Sequence, residues 1–149
     1  MTDEEFMRKA ISIAAENPRH PFGAVIVECD TNRVVSEGVN QSKQHPMWHG
    51  EIVAINHAVA SMSDIDWSKL RLVTTAEPCP MCISAILWCG IGSVVYGTSI
   101  PKLMQLGWNQ IDLRCKDVID HSHRPSTAVV AGVLENACDE LFERACQIK

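Results

Sequence analysis

His49-Gly50-Glu51 and Pro78-Cys79-Pro80-Met81-Cys82 are the two stretches from which the rest of this chain can be read. One imidazole and two thiolates, from His49, Cys79 and Cys82, make a three-ligand set for zinc. Three protein ligands leave the fourth position of a tetrahedral zinc open to water, which is the arrangement of a catalytic rather than a structural site. A zinc-bound water titrates at a pKa of roughly 7. Glu51 follows the histidine closely enough for its carboxylate to serve as the proton carrier beside that water.

A Cys-x-x-Cys alone would suit a redox pair or half of a structural zinc site equally well. A redox dithiol needs no upstream His-x-Glu, and a structural zinc wants a fourth Cys or His. The chain has no second Cys-x-x-Cys. Both ligand groups fall at expected helix starts, where unpaired amides and the helix dipole favour negative charge and lower a thiol's pKa. Cys79 and Cys82, three residues apart, point from one helical face at one metal. Pro78 and Pro80 suit the entry to that helix, where a missing N–H does no harm.

The elements around these stretches alternate in type. Thr2 and Glu5 form a capping box for a first helix, with Phe6, Ala10 and Ile13 on one face and a stop near Asn17-Pro18. Phe22 to Cys29 and Arg33 to Asn40 read as a strand hairpin turned at Asp30-Thr31-Asn32. A helix is expected from His49 to Met62, with Ile52, Ile55, Val59 and Met62 as its apolar stripe. Strands follow at Leu70–Ala76, Ser93–Thr98 and Thr127–Val133, and helices at Cys79–Cys89, Pro101–Gly107 and Leu134–Cys146. Strands three to five, joined by helices, imply parallel pairing, and the hairpin implies one antiparallel pair. The expected fold class is α/β: a three-layer α/β/α arrangement, with a mixed five-stranded sheet and helices on both faces. Residues 109–126 are read either as the border of an active-site mouth or as a plain loop.

At 149 residues, 46% hydrophobic and 21% charged, the chain reads as one domain over 1–149 with enough apolar content for a core. No apolar run reaches the about 20 residues that span a membrane. The acidic start Met1-Thr2-Asp3-Glu4-Glu5 is unlike a signal peptide. Seven cysteines in no framework spacing suggest free thiols in a reducing compartment, so a cytoplasmic location is expected. The net charge is −5 and the thirteen basic residues are scattered, which speaks against a polyanionic partner such as tRNA.

With these residues on the page, the chain resembles the cytidine deaminase-like superfamily, from Pro21-Phe22-Gly23-Ala24-Val25 to Gly132-Val133-Leu134. The resemblance implies the cytidine deaminase-like fold, a zinc cofactor and hydrolytic removal of an amino group from a nucleobase or nucleoside. It implies that Asn40, at the exit of the second strand, binds the base, and that the Gly50 amide helps hold the ring or its carbonyl. An ordinary turn residue is the plainer reading of Asn40, and close packing at a helix start is that of Gly50. Phe22, Trp48 and Trp108 are read as pocket walls or as core. His45, His121 and His123 are read as solvated loop residues, and Cys89 and Cys138 as core thiols.

Three branches of the superfamily look similar. Pro21 to Val27 and Glu77-Pro78-Cys79-Pro80-Met81-Cys82 look like bacterial guanine deaminases. Val129 to Leu134 and the closing helix look like tRNA adenosine deaminases. Gly50 looks like fungal cytosine deaminases. The last helix carries Glu135, Asp139, Glu140 and Glu143 against Arg144 and Lys149, a poor surface for phosphates. A small free base or nucleoside is therefore expected, an aminopurine such as guanine first, with cytosine and a tRNA adenosine as alternatives. A catalytically silent zinc-binding subunit is the alternative of a different class, and the intact Glu51 argues against it. The resemblance also implies a homodimer.

Overall fold

The structure, a computed structural model, describes residues 1–148. Five strands form one sheet in the order β2-β1-β3-β4-β5. They are β1 (Gly23–Glu28), β2 (Arg33–Val39), β3 (Leu70–Ala76), β4 (Ser93–Thr98) and β5 (Ala128–Val130). β1 pairs antiparallel with both β2 and β3, while β3–β4 and β4–β5 are parallel. The mixed sheet expected from the alternation is present. The second antiparallel pair arises because the long β2–β3 connection carries the chain back across β1.

Alternation along β1, β3 and β4 sends side chains to two cores. Ala24, Ile26, Leu72 and Val94 face α2 (Gly50–Ser61), α3 (Pro80–Cys89) and α5 (Cys115–Asp120). Val25, Val27, Val73 and Val95 face α1 (Asp3–Ala14) and Cys138 of α6 (Glu135–Ala145). Helices thus cover both faces, which is the three-layer α/β/α arrangement. A third cluster lies at the sheet's end, where Leu103 of α4 (Ile100–Gln105) and Phe142 of α6 meet Ala76, Phe22 and Trp108. It builds one wall of the site described below.

Local signals account for most boundaries. Thr2 Oγ accepts from the Glu5 N–H and the Glu5 carboxylate accepts from the Thr2 N–H, so the capping box closes α1. Gly90, at φ 83°, ends α3 in the left-handed region that glycine adopts without strain.

Four expectations need correction. The buried face of α2 is Val53, Ala54, Ile55 and Ala58, while Val59 is exposed. That helix packs closely on β2, its Ala54 backbone against Gly38, and Val59 lies on the side away from the sheet. The fifth strand spans only Ala128–Val130, because Gly132 (φ 73°) and Leu134 (φ 50°) bend the chain out of extended geometry. Within 109–126 the chain forms α5, whose Cys115 and Ile119 enter the core. At six residues α5 is too short to show an apolar period in sequence. His45, read as solvated, is half-buried and stacked on Trp48, with ring centroids 5.3 Å apart at 15°. No described helix is long and apolar enough to cross a membrane.

Candidate metal centre and pocket

The antiparallel–parallel switch of the sheet sets the starts of α2 and α3 side by side. His49 is the N-cap residue of α2 and Cys79 that of α3. Each carbonyl accepts the first helical hydrogen bond, from Val53 N at 3.0 Å and Ile83 N at 2.9 Å. Both caps have extended backbone, which turns their side chains into the gap between the helices. Cys82, one turn into α3, is fully buried and faces the same gap.

His49 Nδ1 lies 3.5 Å from Cys79 Sγ and 3.6 Å from Cys82 Sγ. All three donor atoms fall within 4.8 Å of one another, as a metal site requires. Zinc bonds of about 2.0 Å to nitrogen and about 2.3 Å to sulfur, at tetrahedral angles, put such donors about 3.6 Å apart. The donor set and its spacing therefore fit zinc.

The electrostatics agree. A hydrogen bond from Cys82 draws the Cys79 thiol down to about 4 against the cost of burial, and His49 adds to the shift. Cys82 is pushed well above the ordinary thiol value by its hydrogen bond to Cys79 and by its own burial. A divalent cation held among these atoms would reverse that second shift, since a coordinating thiol is deprotonated outright. His49 is raised, chiefly by its hydrogen bond to Cys79. Glu51, in the first turn of α2 and 4% exposed, is pushed up to about 7 by desolvation and by the Cys79 charge. A carboxyl poised near neutrality is suited to both accepting and returning a proton.

His49, Glu51 and Cys79 line a cavity of about 240 Å³, whose walls include Phe22, Asn40 and Trp108. Such a volume lies below the range of about 300–1,000 Å³ typical of drug-sized ligands, and so suits a compact one. Asn40 is fixed by the fold: its N–H donates to Phe22 O and its carbonyl accepts from Asn17 Nδ2. Its side-chain Oδ1 accepts from the backbone N–H and the hydroxyl of Ser42, at 3.1 and 2.8 Å. With Oδ1 so engaged, the Nδ2 amide is the end left to meet a ligand.

Gly50 does not line the cavity. A Cβ there would meet the Phe22 carbonyl oxygen at 2.3 Å and Gly38 O at 3.3 Å. Close approach of α2 to β1 and β2 accounts for the glycine. Phe22 and Trp108 are pocket walls and core at once, with rings 5.4 Å apart and edge-on. Trp48 is not among the cavity residues and stacks on His45 instead. Of segment 109–126, Asn109 and Gln110 border the mouth. His121 and His123 are exposed and line a separate groove, and Cys138 is buried while Cys89 is only half-buried. Sequence reasoning missed His20, Ser42 and Glu77 as cavity residues. For Glu77 a signal existed: a carboxylate at a strand end, directly before Pro78-Cys79.

Comparison with known proteins follows the same lines. The model of the cytidine and deoxycytidylate deaminase zinc-binding region matches residues 1–98. A guanine deaminase of Bacillus subtilis is 31% identical over 115 residues, covering 73% of this chain and 72% of that protein. A tRNA-specific adenosine deaminase of Haemophilus influenzae is 31% identical over 143 residues, covering 93% and 79%. A probable cytosine deaminase of Schizosaccharomyces pombe is 33% identical over 107 residues, or 70% of this chain. The chain spans 65% of that yeast protein and only 16% of a tRNA(Ile)-lysidine synthase of Deinococcus radiodurans that it also matches. Among solved structures, a guanine deaminase of Nitrosomonas europaea superposes with a TM-score of 0.86 at 24% identity, covering 99% of this chain and 86% of that one. The family match, taken with a donor set spaced for zinc, identifies the chain as a member of the cytidine and deoxycytidylate deaminase zinc-binding family.

Proposed function

We propose that this protein hydrolytically deaminates a small aminated heterocycle, exchanging a ring amino group for oxygen and releasing ammonia. One observation carries the reading: the buried Glu51 carboxylate lines the same cavity as the His49–Cys79 edge of the metal site and the fixed amide of Asn40. His49, Cys79 and Cys82 would hold zinc, which would supply Lewis-acid activation of a water. Glu51 takes one proton from the attacking water and hands it to the ring nitrogen, then carries the remaining proton of the new carbon-bound hydroxyl to the amine, so that ammonia leaves and the oxygen stays on the ring. Burial keeps this carboxyl from competing water and raises its proton affinity toward neutrality. Asn40 Nδ2 donates to a ring nitrogen or carbonyl, and Phe22 and Trp108 confine a flat ring. Gly50 acts through backbone approach, bringing the start of α2 against β1.

Among substrates we favour a free aminopurine such as guanine. The compact cavity and the Bacillus subtilis guanine deaminase relative support this choice. The net charge of −5 and the acidic α6 weigh against a polyanionic tRNA. Gly50 carries little weight for cytosine, since backbone packing at Phe22 already requires it. A homodimer in the cytoplasm completes the reading.

The deciding experiment is ammonia release across guanine, adenine, cytosine, their nucleosides and a tRNA anticodon stem. Turnover of guanine above the others supports the reading. Release from none of them by the zinc-loaded protein overturns it in favour of a silent subunit.

A further inference from the structure

Glu77 takes no part in the chemistry above, yet it is the most heavily bonded carboxylate near the site. Its side chain is 1% exposed. One oxygen accepts from the N–H of Ile100, the first residue of α4, at 2.9 Å. The other accepts from the N–H of Cys115, the first residue of α5, also at 2.9 Å. Arg114 Nε donates to both oxygens at 3.0 and 3.1 Å, and its NH2 group donates to the Tyr96 hydroxyl on β4. A buried carboxylate is costly unless its lone pairs are filled. Here three donors fill them.

The two amides belong to two helices of six residues each, too short to be stable alone. A single side chain therefore pins both ends of segment 100–115. The middle of that segment carries Trp108, Asn109 and Gln110 to the cavity. Its backbone N–H donates to Leu103 O at 2.9 Å, but the Trp108 side chain is held by ring packing alone: it stands edge-on to His20, Phe22 and Phe142, and its indole N–H is buried without a partner among the described residues. An unpaired buried donor opposes that placement. Leu103 and Leu106 anchor the first half of the strap against α6, and beyond Trp108 the bonds that hold it to the end of β3 are those of Glu77.

We propose that Glu77 is a positioning residue: with Arg114 it clasps the 100–115 strap against the end of β3, and so sets how tightly the pocket holds an aminated heterocycle. This rests on the deaminase reading. The clasp acts on the pocket wall, whereas Glu51 acts on the protons. Arg114 is its accessible half, at 44% side-chain exposure, so removing the guanidinium leaves the two backbone donors in place and the fold intact.

The test is Arg114→Gln, followed by hydrogen–deuterium exchange, zinc content and steady-state ammonia release. Exchange across 106–114 rises by about tenfold or more while α2 and α3 stay as protected as before. KM rises by about tenfold with kcat within about twofold, and zinc content is unchanged. Arg114→Lys, which keeps the charge but not the planar fork, restores part of the KM. Glu77→Gln, isosteric but lacking one acceptor, loosens the strap further. Unaltered exchange in the strap overturns the clasp, and so does a kcat loss that tracks zinc loss, which would make Glu77 a mere support for Cys79. The exchange comparison needs no turnover. If the unaltered protein releases no ammonia, the deaminase reading fails while the clasp is still decided.

Discussion

His49 Nδ1 lies 3.5 Å from Cys79 Sγ, although thirty residues of chain separate them. The contact joins the starts of α2 and α3, so the metal site is also a cross-link between the hairpin half and the parallel half of the sheet. Removing zinc with a chelator should therefore lower the unfolding midpoint as well as stop turnover. Metal at a hundredfold excess over its dissociation constant contributes about 2.7 kcal/mol. Cys79→Ser should show the same loss of zinc by elemental analysis, and thermal unfolding with and without chelator measures the stability term. An unchanged midpoint on chelation would mean that the site does not bridge the two halves.

Glu51 is not a ligand in this geometry. Glu51→Gln should retain zinc and fold, while ammonia release falls by about a hundred- to ten-thousand-fold. The check is kcat at saturating substrate beside zinc stoichiometry. Normal deamination by this variant would sink the proton-transfer role.

Phe142 joins α6 to the pocket wall, with ring centroids 4.8 Å from Phe22 and 5.8 Å from Trp108. It is fully buried. Phe142→Ala should cost about 3–5 kcal/mol, as large aromatic deletions in cores do. Urea unfolding measures this as a lower midpoint with the slope unchanged. A loss below about 1 kcal/mol, the range of exchanges that keep core volume, would show that α6 is not holding the wall.

Burial pushes the thiols of Cys115 and Cys138 up to about 12. Both values are raised in the folded state, so their contribution is complete below the ordinary thiol value of about 8.5. It is lost as pH climbs from there toward 12, because only the unfolded chain then releases these protons. The thermal midpoint should fall over that alkaline window, and less so in Cys115→Ala. At pH 8, iodoacetamide should modify the exposed Cys29 and Cys146 and leave Cys115 and Cys138 untouched until unfolding. Mass spectrometry of the labelled peptides checks this, and early labelling of Cys138 would contradict it.

Much of the fold was legible because its signals are local. Thr2 with Glu5, the Val- and Ile-rich runs of β1 and β3, Pro80 and Gly90 each act within a few residues. The helix α5 was not legible: its six residues reach the core through only Cys115 and Ile119. The α2 stripe was misjudged because Ala54 and Ala58, weak signals in sequence, are what lets that helix lie close to the sheet.

The sequence by itself determined the chemistry of this protein: which side chains can hold zinc, which carboxylate stands beside it, and that each belongs to a helix start. Those facts follow from residue type and short spacing, because capping and ligand geometry operate over one turn. Tertiary structure alone decided what surrounds that chemistry. Asn40 and Trp108 stand far apart in the chain, and Glu77 bonds to residues 23 and 38 positions further on. They share one cavity because the sheet order β2-β1-β3-β4-β5 places the ends of β1, β2 and β3 together. Contacts of that range depend on the packing of whole layers, and no local pattern of residues encodes them.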